Sequence, residues 1–70
     1  MNVDHLVTMA NEIAAFFDAE ADKQKAAEQV ANHLNRFWEP RMRAAIKAHV
    51  AAGGAGLAPL ARRAVELARS

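Results

Sequence analysis

The chain has no cysteine. It therefore forms no disulfide, and thiolate ligation of zinc or of an iron–sulfur cluster is excluded. Hydroxyl nucleophiles are confined to Thr8 and Ser70, and neither has a His and a carboxylate placed in the pattern that activates a nucleophile. No apolar run approaches the roughly 20 residues that a membrane span requires. The opening Met1-Asn2-Val3-Asp4-His5 lacks the basic start and apolar core of a signal peptide, so a cytoplasmic location is expected. Three Gly and two Pro are too few to build a linker, and residues 1–70 are read as one small domain.

What is present is alanine. The hydrophobic fraction of 53% is dominated by it. Ala is the best helix former and contributes little buried area, which suits closely packed helices with thin interfaces. A chain of 70 residues buries only roughly 60% of its unfolded surface. Domains this small usually add a disulfide, a metal or a partner. A partner, either another chain or a second copy, is the remaining support.

Periodicity predicts an all-α bundle of three or four short helices and no strand. The first helix starts after Asn2 or Asp4, either of which can cap its free amides. Leu6, Met9, Ala10, Ile13, Phe16 and Phe17 then draw one apolar stripe at spacings of three and four. The adjacent Phe16-Phe17 pair is wider than one narrow seam, which leaves one ring for a partner. Residues 18–25 are polar and read as a turn or frayed helix ends, with Asp22 as the next cap, although the absence of Gly and Pro also allows one continuous helix through them. The second helix runs from about residue 23 to Phe37 or Trp38 on a stripe of Ala27, Val30, Ala31, Leu34, Phe37 and Trp38. The third begins at Pro40, whose missing donor is not needed at a first helical position. It carries Met42, Ala45, Ile46, His49 and Val50 and stops at Gly53-Gly54. A last helix opens at Pro59 with Leu60, Ala64, Leu67 and Ala68.

Net charge is only +1, but it is unevenly spread. Residues 1–35 hold six acidic and two basic groups, a net of −4, whereas residues 36–70 hold seven basic and two acidic, a net of +5. Either the basic half favours an acidic partner or the halves pack together and partly neutralise each other.

The corner Arg36-Phe37-Trp38-Glu39-Pro40-Arg41-Met42-Arg43 concentrates the only Trp, one of three Phe and three Arg. Pro40 forces a turn within it. Arg41 and Arg43 fall in the first turn of a helix, where a cation is disfavoured by several tenths of a kcal/mol. Trp and Arg are the residues most enriched at interface hot spots, and a guanidinium fork binds carboxylates in pairs. Arg36, Phe37, Trp38, Glu39, Arg41 and Arg43 are therefore the candidate partner-binding set. The competing reading makes Trp38 a lid on the core and leaves the guanidinium groups in water.

Other constellations carry little chemistry. His5, His33 and His49 are spread over separate helices without the i, i+4 pairing of a zinc protease. His49 reads as a hydrogen-bonded core histidine. Gly53-Gly54-Ala55-Gly56 follows a helix and lacks the Gly-Lys-Ser/Thr ending of a phosphate loop. Arg36, Arg41, Arg43 and Lys47 cluster, but the overall charge falls short of the footprint of a nucleic-acid module.

The corner, followed by His49, Gly53-Gly54, Gly56-Leu57 and Pro59-Leu60, resembles the delta subunit of the soluble NAD-dependent formate dehydrogenases. So does the opening Leu6-Val7-x-Met9-Ala10-Asn11-x-Ile13 with Phe16-Phe17. The resemblance spans residues 6 to about 60. Residues 18–28 match only in being polar, and Ala58 stands where a polar helix cap is expected. The resemblance implies an accessory, non-catalytic subunit of an enzyme that oxidises formate and reduces NAD. Its molybdenum-pterin, iron–sulfur clusters, FMN and NAD are expected in partner subunits, with none bound by this chain. The implied role is docking on the catalytic subunit to support assembly, cofactor insertion or stability. The alternatives from other classes are a free-standing helical protein that homodimerises and a weak nucleic-acid-binding module.

Overall fold

Four helices carry the chain in the computed structural model, which describes residues 1–70: α1 (Val3–Phe17), α2 (Lys23–Phe37), α3 (Pro40–Ala51) and α4 (Pro59–Leu67), with no strands. Their ends follow from local chemistry. The Asn2 side chain accepts from the Asp4 amide to start α1, and the Asp22 carboxylate accepts from the amides of Gln24 and Lys25 to start α2. Each satisfies amides that the helix itself leaves unpaired. Pro40 and Pro59 stand at the first turns of α3 and α4. At the end of α3, Gly53 N–H donates to Val50 O and Gly54 N–H to His49 O. This is the Schellman closure, and φ values of 123° at Gly53 and 68° at Gly54 show why glycine is required there.

Ala58 has no capping side chain, and α4 takes its cap from another helix. The Asn11 carboxamide of α1 accepts from Ala58 N–H and donates to Gly56 O, both at 2.9 Å. One side chain thus fixes the α3–α4 connection and the start of α4. Asn11→Ala is expected to lower stability by about 1 kcal/mol, seen as a thermal midpoint roughly 4–8 °C lower. Asn11→Asp, which keeps the acceptor, should recover part of that loss.

The core is thin, as an alanine-rich sequence requires. Its largest fully buried side chains are Leu34, Ile46, Val30 and Val65, set among Ala10, Ala14, Ala31, Ala61, Ala64 and Ala68. Small residues at the contacts let helix axes approach closely, and α4 lies chiefly against α2. This shifts the expected stripes. On α1 the buried seam is Leu6, Val7, Ala10 and Ala14, with Met9, Ile13 and Phe17 only half-buried and Phe16 outside. On α4 it is Ala61, Ala64, Val65 and Ala68, and Leu67 is exposed. Expecting His49 in the core was wrong. It is half-buried at the surface, and its Nε2 lies 2.8 Å from Ala55 O in the loop after α3.

The basic half does not neutralise the acidic half through ion pairs. The only ion pair is Lys23–Asp18, local to the α1–α2 turn. Instead, cations reach the carbonyl ends of neighbouring helices. Lys47 Nζ donates to Val65 O, Glu66 O and Ala68 O at the end of α4, and Arg62 donates to Gly53 O after α3. Those carbonyls lie at or just past the C-terminal ends of α4 and α3, the negative poles of the helices, where a cation is favoured.

Candidate partner-docking surface

The corner between α2 and α3 sends adjacent side chains in opposite directions. Phe37 is the last residue of α2 and is 65% exposed. Trp38 is the C-cap, with extended dihedrals of φ −87° and ψ 139°. That break from helical geometry turns the indole inward, to 5% exposure. Trp38 therefore belongs to the core cluster of the monomer. Of the two readings of Trp38, its burial favours the lid on the core over the outward docking side chain, and the residue also lines the groove described below.

Arg43 is likewise not held outward. Its guanidinium reaches back across the corner to donate to Trp38 O and Asn35 O, while its Nε donates to Arg69 O at 3.1 Å. Asn35 closes the knot by accepting from Arg69 N–H at 2.8 Å. The arginine that looks misplaced at the N-terminus of α3 thus sits at the C-terminal carbonyls of α2, where a cation is favoured. Its position is explained within the chain. Arg43→Ala is expected to lower stability by about 1.5 kcal/mol, as loss of charge-assisted bonds to part-buried carbonyls implies, read as a lower urea midpoint with an unchanged slope.

The remaining charged residues of the corner face solvent. Arg36 is exposed and places its guanidinium carbon 5.5 Å from the centre of the Phe37 ring. On the neighbouring turn of α2, the His33 ring lies 4.7 Å from that of Phe37. Glu39 and Arg41 are exposed, and Glu39 makes no side-chain cap to α3. Neither Arg36 nor Arg41 has a carboxylate partner in the chain.

Phe37 forms one rim of a groove of about 610 Å³ lined by Met9, Glu12, Ile13, Phe16 and Phe17 of α1, His33 of α2, Trp38 at the corner and Met42 of α3. Phe16 of α1 also lines it, 80% exposed and edge-on to Phe17 at 5.1 Å. A continuous apolar hollow between two exposed rings, with charged residues around it, is the form of a protein interaction site. The corner motif alone does not identify the α1 wall. Its sequence signal is the width of the α1 stripe, which exceeds what one core seam can absorb.

No three metal-ligating side chains converge, and no helix is long and apolar enough to cross a membrane.

A family model described as the NADH-dependent formate dehydrogenase delta subunit FdsD matches residues 5–65. The chain belongs to the FdsD family. The match covers nearly the whole chain, and with it both walls of the groove and the whole corner. No curated protein and no solved structure is significantly similar to the chain. An FdsD chain is a subunit of a formate dehydrogenase, and that places the exposed groove on a protein whose family works in an assembly.

Proposed function

We propose that this FdsD chain is a non-catalytic subunit that docks on the catalytic subunit of an NADH-dependent formate dehydrogenase through the groove between Phe16 and Phe37. Docking supports assembly or stability of the enzyme, including insertion of its cofactors. The observation that carries this reading is the outward placement of two phenylalanine rings lining an apolar hollow. The thin alanine core has little stability to give up, yet two of the chain's three Phe contribute little to it.

The groove supplies apolar anchors. Arg36 and Arg41, free of internal carboxylates, supply charged forks for acidic groups on the partner. Glu39 adds an opposite charge that fixes register. The residues that hold formate, NAD and the redox groups then lie in other subunits: this chain lacks cysteine and an activated nucleophile, so its contribution is binding. A nucleic-acid role is less well supported, because Arg43, Lys47 and Arg62 are engaged by helix-end carbonyls and cannot form one continuous basic stripe.

Co-purification tests this. A tagged chain expressed beside the other formate dehydrogenase subunits should retain the catalytic subunit in a fixed ratio through gel filtration. Elution of the chain free of that subunit, with the enzyme present and folded in the same lysate, would overturn the reading.

A further inference from the structure

Before it meets the enzyme, the chain has the same groove and the same exposed rings, and the structure offers an occupant for them. We infer that two copies of the free chain pair about a two-fold axis through this groove, and that the pair dissociates when the catalytic subunit covers it. The pairing stands on its own observations. Its exclusive relation to the enzyme rests on the docking proposed above.

Shape is the first observation. The groove presents a hollow between Phe16 and Phe37, 80% and 65% exposed, so one copy carries both a protruding ring and a cavity to receive one. A two-fold contact requires this self-complementarity, because the same patch must serve on both sides.

Charge is the second. Glu12 lies on the α1 wall, while His33 lines the α2 wall and Arg36 stacks over Phe37 on that same side. Neither Glu12 nor Arg36 has an ion-pair partner inside the chain. A two-fold axis that sets the α1 wall of one copy against the α2 wall of the other brings Glu12 to face Arg36 twice. An arrangement with like walls together would set Glu12 against Glu12 and Arg36 against Arg36.

Extent decides the strength. The groove is lined by nine residues, against the roughly 20–30 a side of a standard stable interface. The pair is therefore of the weak, exchangeable class, formed at micromolar concentrations and open to displacement by a larger partner surface.

Sedimentation velocity of the full isolated chain tests the pairing. The wild type is expected to pass from monomer to dimer as concentration rises through the micromolar range, without larger species. Glu12→Arg and Arg36→Glu are exposed changes and should each weaken self-association at least tenfold while leaving the melting curve in place. An equimolar mixture of these two variants should dimerise again, because both contacts across the axis then set an arginine of one variant against a glutamate of the other. Phe37→Ser should be monomeric throughout. A wild type that stays monomeric at hundreds of micromolar overturns the inference. So do open-ended oligomers, charge variants that pair as the wild type does, or a mixture that remains monomeric.

Titrating the purified catalytic subunit into the dimer then tests exclusivity. Complexes with one copy of the chain support it, and complexes retaining two copies overturn it. Absence of any complex in this arm counts against the docking proposal and leaves the sedimentation result for the free chain intact.

Discussion

Trp38→Ala is expected to leave most of the chain unfolded at 37 °C. The indole is 5% exposed and packs in the core cluster with Leu34 and Ile46. Replacing a buried Trp by Ala costs about 3–5 kcal/mol, the sum of lost transfer energy and the cavity left behind. A domain of 70 residues has a total stability on the order of 4–10 kcal/mol, so the substitution removes a large share of it. Circular dichroism should show a loss of helix at physiological temperature and a broad, early thermal transition. Trp38→Phe keeps much of the ring and should retain the fold at a lower melting temperature. A Trp38→Ala chain that melts like the wild type would mean that the indole lies outside the core. Loss of helix in Trp38→Ala would agree with the reading of Trp38 as a lid on the core rather than as a member of the partner-binding set.

The double substitution Phe16→Ser, Phe37→Ser is expected to behave in the opposite way. Both rings are mostly exposed, and surface substitutions away from core, caps and networks usually change stability by no more than about 0.5 kcal/mol. The melting curve should therefore shift by a few degrees at most. Docking should suffer, because large aromatic anchors at the centre of an interface are worth about 2 kcal/mol or more each. Two of them amount to about 4 kcal/mol, which is on the order of a thousandfold in affinity, or nearer a hundredfold if their effects overlap. Core and interface are thus separable by neighbouring residues: Trp38 carries folding, and Phe37 carries binding. Co-purification yield and melting temperature, measured on both variants, resolve the two.

The ends of the helices were legible because they depend on nearest neighbours. Asn2, Asp22, Pro40, Gly53-Gly54 and Pro59 each act within a turn of their own position, and each marks a boundary in the structure. The helical character of the chain followed from the same local rules. The facing of the helices was less legible. The spacing of α1 drew one stripe through Met9, Ile13 and Phe16, whereas close packing puts the buried seam on Leu6, Val7, Ala10 and Ala14 and leaves Phe16 outward. At the corner, period alone could not distinguish Phe37 from Trp38, because Trp38 lies one residue past the helix and obeys a different geometry.

Three long-range bonds were invisible for another reason. Asn11 capping α4, Lys47 capping α4 from α3, and Arg43 reaching Arg69 O beyond α4 each join residues whose proximity exists only after folding. Arg43 in particular looked misplaced because its own helix disfavours it, whereas the neighbouring helix end accounts for it. Of the corner residues, Arg36, Phe37, Glu39 and Arg41 remain at the surface. The α1 residues Met9, Glu12, Ile13, Phe16 and Phe17 join them through the groove.

The most direct measurement is the affinity of the purified chain for a formate dehydrogenase complex lacking its delta subunit, taken on the wild type and on the Phe16→Ser, Phe37→Ser variant at a temperature where both are folded. The wild type should bind at one copy per catalytic subunit, and the variant at least a hundredfold more weakly with its melting curve essentially unchanged. A variant that binds as tightly as the wild type would contradict docking through the groove, and a wild type that does not bind would contradict docking altogether.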